Sequence, residues 1–228
     1  MSSAVLVSSG SRDLRRRALG APLDLQEFGL SSGPWEVEIG FGKGRYLLER
    51  AACEPEARFL GIEVARKYHR ILVCRARRRG LENVVALNGE AQEILATSLP
   101  RGFARAVHVY FPDPWPKARH HRRRLLDPES LDLVLGVLQP GGRLYFATDH
   151  ADYGEVVADV LSSYPYLELR RQDGPWPDGA RTNYEAKYER EGRVIWRWTG
   201  TLARGEAPVH PAGRAGLLVA YRVHGDPE

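Results

Sequence analysis

From Trp35 onward the chain alternates short apolar runs with stretches whose apolar residues recur at helical spacing. That rhythm predicts strands and helices in turn. Trp35–Ile39 is predicted as a strand, Gly40–Gly44 as a turn, and a helix follows through about Ala52. Arg58–Ile62 predicts a second strand and Ala65–Arg79 a helix, with Tyr68, Ile71, Leu72 and Ala76 near helical spacing and Gly80 as its stop. Asn83–Leu87 gives a third strand, and Ala91–Ser98 a short helix ended by Pro100. Ala106–Phe111 is almost continuously apolar, as expected of a central parallel strand buried on both faces. Ser130–Leu138 is predicted helical and halts at Gln139-Pro140-Gly141-Gly142; Arg143–Ala147 is a fifth strand, followed by a helix to about Ser162. Past Tyr166 the order loosens. Asp173–Ala180 reads as loop, while Val194–Trp198 and Gly216–Val223 are strand-like.

Alternation of this kind predicts an α/β fold, a doubly wound, Rossmann-like sheet with helices on both faces. Ligands of such sheets lie beyond the carboxyl ends of the strands, which is where every polar element singled out below falls. The organisation expected is a basic lead-in over residues 1–33, with Arg12, Arg15, Arg16 and Arg17 clustered, then a domain over 34–202 and an extension over 203–228.

Composition narrows the class. At 228 residues, 43% hydrophobic and 27% charged, the chain reads as a globular protein able to bury a full core. Its formal charge is only +4, so clustering of cations matters more than their total. Arg greatly outnumbers Lys, which favours bidentate contacts to phosphate. Cys53 and Cys74 have no metal-like spacing, and neither a disulfide framework nor a metal site is expected. With no leader-like or membrane-length apolar run, a cytoplasmic location away from membranes is expected.

Two constellations carry chemistry. Glu38-Ile39-Gly40-Phe41-Gly42-Lys43-Gly44 closes the first strand, and its glycines permit positive φ and close approach of a ligand to the backbone. The dinucleotide fingerprint would need glycine at position 45, where the chain has Arg45. The spacing resembles instead the first motif of class I S-adenosylmethionine-dependent methyltransferases. Glu38 could hold the amino group of such a cofactor and Glu63 its ribose hydroxyls, a role that would serve NAD equally well. Glu90 could meet the adenine amino group, or could simply be an acid in the first turn of a helix. The second constellation is Phe111 to Arg124, FPDPWPKARHHRRR. Asp113 stands between two prolines that stiffen the backbone around it, next to a dense cationic run suited to phosphate. A rigid acid beside a phosphate clamp suggests chemistry on a nucleobase.

Together with Ala147-Thr148-Asp149-His150 and Thr182–Gly192 (TNYEAKYEREG), these segments resemble, in order, those of the bacterial tRNA (guanine-N7-)-methyltransferases over roughly residues 35 to 200. The resemblance implies that Glu38, Gly40, Gly42, Gly44, Glu63, Glu90 and Asp113 line an S-adenosylmethionine site, with Asp113 also facing the guanine. Lys117 and Asp149 would contact the substrate nucleotide. Arg119, His120, His121, Arg122, Arg123 and Arg124 would grip RNA, and Thr182, Asn183, Tyr184 and Glu185 would close over the target base. The methyl acceptor implied is N7 of a guanine in the tRNA variable loop, with no protein partner required. Where the family usually has Asp, this chain has Glu90.

The donors on the guanine edge suit acid acceptors, so Asp113, Asp149 and Glu185 are the candidates to face it; Trp115 or Tyr184 could stack on the base. Three other readings stay open on the residues alone: a methyltransferase for an amino group, a nicotinamide-dependent oxidoreductase, and an RNA-binding protein without activity. The order P-D-P-W fits the first poorly, Arg45 disfavours the second, and intact acids at the cofactor positions argue against the third.

Overall fold

A computed structural model describes residues 3–6, 33–114, 125–126 and 128–203. The Arg12–Arg17 cluster, Trp115, Lys117, Arg119–Arg124 and Gly216–Val223 lie outside the described residues. In chain order the strands are β1 (Ser3–Leu6), β2 (Trp35–Ile39), β3 (Arg58–Glu63), β4 (Val84–Asn88), β5 (Ala104–Tyr110), β6 (Leu138–Thr148), β7 (Leu167–Arg171) and β8 (Trp196–Leu202). The helices are α1 (Arg45–Cys53), α2 (Arg66–Arg78), α3 (Ala91–Thr97), α4 (Pro128–Val137), α5 (Ala151–Ser162) and α6 (Asn183–Arg190).

The strands form one sheet in the order β1-β4-β3-β2-β5-β6-β8-β7. Five central strands run parallel, while β8 is antiparallel to both β6 and β7. At the far edge β1 pairs antiparallel with β4, so part of the lead-in segment is joined to the sheet. The chain winds outward from β2 through β3 to β4, then returns to the other side of β2 as β5. Strand order therefore reverses between β2 and β5, and the crevice above that reversal is where such a sheet binds ligands.

Side-chain alternation builds the two layers. On β2, Val37 and Ile39 face the larger core with α3, α4 and α5, where Ile94, Leu135 and Tyr153 are buried. Phe59 and Val84 pack on the opposite face beneath α1 and α2, against Leu47, Leu48 and Leu72. Glu36 and Glu38 alternate with the apolar residues of β2, so both sit on one side and both are buried. Over β5 and β6 that side is roofed by the segment before α6, which sinks Trp176 against Tyr46 and Tyr110. The stretch read as plain loop is thus pinned by an aromatic anchor.

Candidate active site

The turn after β2 is built by three left-handed glycines: Gly40 at φ 72°, Gly42 at φ 52° and Gly44 at φ 70°. A side chain at Gly44 would also collide with Leu72, with a Cβ 2.3 Å from Leu72 Cδ1. At Gly40 and Gly42 a Cβ would meet nothing within 4 Å, so those glycines face open space. Glu63, at the end of β3, fixes the turn: its carboxylate accepts from the Gly42 N–H at 2.9 Å and the Ala65 N–H at 2.9 Å. Asn88, at the end of β4, holds the neighbouring backbone by donating to the carbonyls of Glu63 (2.7 Å) and Val64 (2.9 Å).

Glu38 ends at the floor of this turn, 2% exposed. The Leu47 N–H, at the open start of α1, donates to it, yet its Oε2 has no hydrogen-bond partner among the described residues. Burial pushes its carboxyl well above the ordinary value, the Leu47 bond opposes that, and the nearby Glu63 charge adds to the rise. Among the described residues no cation stands beside this buried acid.

Above Glu38 lies a cavity of about 290 Å³, lined by the glycine turn, Tyr46, Tyr68, Tyr110, Phe111 and, from α6, Thr182, Asn183, Tyr184 and Lys187. Phe111 leaves β5 at φ 51°, uncommon for a non-glycine residue and a mark of local strain at such sites. That kink turns Pro112 and Asp113 away from the strand, and Asp113 is exposed.

α6 is placed by its own sequence. Thr182 caps it, its hydroxyl accepting from the Glu185 N–H at 3.0 Å, and Glu185 reaches back to the Arg181 N–H at 2.7 Å. This Thr-x-x-Glu spacing is a capping-box pattern, a signal readable in the sequence. Glu185 is 0% exposed and its other oxygen accepts from Arg197 Nε at 2.7 Å. With both oxygens so engaged, Glu185 holds the segment that presents Asn183 and Tyr184. Tyr184, by contrast, is 57% exposed, with its ring centroid 6.5 Å from that of Phe111.

Other expected site residues follow the carboxyl ends of the parallel strands. Asp149, just past β6, pairs with Arg193 at 3.3 Å. Glu90 is exposed at the start of α3, without a capping bond from its side chain. Neither these two, nor Glu63 or Asp113, lines the cavity itself. Lys117 and Arg119, His120, His121, Arg122, Arg123 and Arg124 lie outside the described residues.

Beneath the cavity runs a polar network that the sequence reading missed. His108, inside the apolar run of β5, bridges Glu36 Oε2 (3.2 Å) and the Tyr110 hydroxyl (2.9 Å). Arg181 donates to Tyr110 at 2.7 Å and stacks over Trp176, 4.4 Å from its ring centre. Burial pushes the Glu36 carboxyl up, but bonds and charge from His108, Arg50 and Arg105 outweigh it and hold the group at about 2. Burial pushes His108 down.

Comparison with known proteins supplies the remaining evidence. Residues 32–198 match a protein family described as "Putative methyltransferase". A tRNA (guanine-N(7)-)-methyltransferase of Nitrosococcus oceani is 41% identical over 160 residues, covering 70% of this chain and 68% of its own. One of Alkalilimnicola ehrlichii is 42% identical over 186 residues, 80% of this chain and 78% of its own. Among solved structures, a 16S rRNA (adenine(1408)-N(1))-methyltransferase variant of Catenulisporales acidiphilia, with cosubstrate SAM, superposes with a TM-score of 0.55 at 19% identity. It covers 84% of this chain and 98% of that one, a likeness of fold.

Proposed function

The chain belongs to the tRNA (guanine-N(7)-)-methyltransferase family, and from that premise we propose that it methylates N7 of a guanine in the tRNA variable loop, using S-adenosylmethionine. The observation that carries the reading is the buried Glu38 carboxylate, one oxygen unpartnered, at the base of a glycine turn that faces open space. Those residues fit the cofactor: a cationic amino group answers Glu38, and the turn admits close approach to the backbone. The lone pairs left on Glu63 suit ribose hydroxyls, and Glu90 suits the adenine end.

When bound, S-adenosylmethionine supplies an electrophilic methyl group on a sulfonium sulfur. Guanine N7 carries an in-plane lone pair and no proton, so the chain has no base to provide for the nucleophile. Its task is alignment, which can lower a barrier by up to about 7–11 kcal/mol. Asp113 and Asp149 follow the adjacent strands β5 and β6, where on this reading their carboxylates accept from the guanine donors and stabilise positive charge arriving on the purine. Because N7 lies in the deep, narrow major groove of paired RNA, the base must be exposed or turned out of its stack. Exposed Tyr184 beside Phe111 offers a surface to receive it.

We place the protein in the cytoplasm with tRNA as its partner; no helix of the described residues is long and apolar enough to cross a membrane. The test is incubation of purified protein with S-adenosylmethionine and unmodified tRNA, followed by nucleoside analysis after nuclease digestion. Cofactor-dependent 7-methylguanosine is the expected product. A different methylated nucleoside would overturn the choice of atom, and no methylated product would overturn the reaction.

A further inference from the structure

We propose that the groove between the start of α1 and the C-terminal half of α2 is a phosphate-binding surface for RNA, additional to the cationic run at 117–124. The proposal deepens the reading above and rests on tRNA being the substrate. The groove holds about 400 Å³ and is lined by Arg45, Arg75, Arg78, Arg79, Glu49 and Asn183, with Leu48. Its single acid is already taken, since Glu49 accepts from Arg45 Nε at 3.1 Å. Arg66 to Arg79 contains seven cations and no acid. Arg75, Arg78 and Arg79 form no ion pair among the described residues.

Positions 75, 78 and 79 are spaced i, i+3 and i+4, so their side chains share one helix face. Like charges at that spacing destabilise a helix. The bland alternative is that basic residues in the last turn of α2 complement the helix dipole, which they do. A dipole, however, does not require Arg45 on a different helix to turn toward the same groove. Nor does it account for Arg75, whose Nη1 donates to the Lys43 carbonyl at 3.0 Å and is thereby held against the glycine turn. Position is the further argument: Arg45 and Asn183 line both this groove and the 290 Å³ cavity. A polyanion following the guanidinium row is therefore led to the mouth of the pocket that must receive its base. Arginine, with a planar fork of donors, is the side chain best shaped for phosphate oxygens.

The test uses the full chain carrying Arg78→Gln and Arg79→Gln, both exposed, so that melting temperature should stay near that of the parent. Binding to a tRNA transcript is measured by fluorescence anisotropy over a series of salt concentrations, and S-adenosylmethionine binding by calorimetry. Arg170→Gln with Arg171→Gln, on edge strand β7, makes the same change in net charge elsewhere. The expectation is roughly tenfold weaker tRNA binding at about 0.1 M salt and a salt slope lower by about 2. Cofactor affinity should hold and the β7 variant should bind tRNA like the parent. Affinity and slope equal to the parent's, as would follow if the groove served an acidic protein instead, overturn the proposal. Equal loss in the β7 variant overturns it too, by reducing the effect to net charge. Should the parent bind tRNA yet form no 7-methylguanosine, the catalytic reading fails, while the salt slopes still decide the groove.

Discussion

Replacing Glu38 with Gln should move stability and cofactor binding in opposite directions. In the ligand-free protein this carboxylate is buried, accepts one bond from the Leu47 N–H, and leaves Oε2 without a partner among the described residues. An unsatisfied buried acceptor costs about 1–3 kcal/mol, and more when charged. Gln keeps the shape and the Leu47 contact while removing the group that must either stay protonated or bury a charge. Allowing for the unpaired amide that replaces it, the substitution should stabilise the free protein by about 1–2 kcal/mol, a rise of roughly 2–8 °C in Tm at this chain length. The sign of the pH dependence follows from the same group. Its folded pKa is raised, so the folded state keeps a proton that the unfolded chain releases above about 4.5. Parent stability is lost as pH climbs from there toward the folded pKa, and the advantage of Glu38→Gln grows over that window.

Cofactor binding should go the other way. A charge-assisted hydrogen bond to an amino group contributes about 1.5–3 kcal/mol, so Glu38→Gln should weaken S-adenosylmethionine binding about 10- to 150-fold. Scanning calorimetry without ligand and titration calorimetry with it read the two effects separately. A Tm lowered by several degrees in the free variant would show that Glu38 is satisfied within the fold. Unchanged cofactor affinity would refute the assignment of Glu38 to the cofactor's cation.

Three further outcomes follow from the geometry. Glu185→Ala leaves Arg197, 4% exposed at its side chain, without the fully buried one of its two carboxylate partners, and should cost about 3–5 kcal/mol in a urea melt; a change under about 0.5 kcal/mol would mean the pair is not structural. Glu36, held at about 2 against 4.5 in the unfolded chain, contributes stability that is present above 4.5 and lost as pH falls toward 2; Glu36→Gln should flatten that acid limb, and an unaltered acid limb would refute the network. Asp113→Asn should lower single-turnover methylation by about a hundredfold or more with tRNA affinity nearly intact, whereas turnover within a few-fold of the parent would remove Asp113 from the reaction.

The central sheet was legible because its strands are buried on both faces and are rich in apolar residues bounded by turn signals; β2 to β5 lie within two residues of their predicted limits. Elements at the margins were not. β7 (LELRR) buries one residue and exposes charge, so no alternation announces it. α6 (NYEAKYER) buries only Glu185, a helix with no apolar stripe whose sole signal is its capping pattern. β8 carries Thr199, Gly200 and Thr201 in its interior, which hid its second half. The site divides similarly. Motif spacing located the glycine turn and Glu38, since backbone geometry demands those residues at those places. It could not say which way an acid faces. Glu185 is bonded to Arg197, twelve residues away on another element, a pairing that no local pattern announces.

Glu36 and Glu38 show what that missing information amounts to. They are two residues apart on β2, point to the same side of the sheet, and are almost equally buried. Motif spacing singles out Glu38, but nothing in the sequence says what surrounds either acid. The fold surrounds Glu36 with Arg50, Arg105 and His108 and holds it ionised down to about 2. Among the described residues Glu38 receives a single backbone N–H and no cation, and its proton is held correspondingly tightly. Where environments push two carboxyl groups apart in this way, their roles divide. The satisfied acid anchors α1 and β5 beneath the pocket, and substituting it should register in stability. The other keeps an oxygen for which the described residues supply no partner, and substituting it should register in binding. A cation arriving at Glu38 would also draw out its proton, so cofactor affinity should rise with pH until the free carboxyl is itself ionised, a linkage that Glu36→Gln leaves in place and Glu38→Gln abolishes.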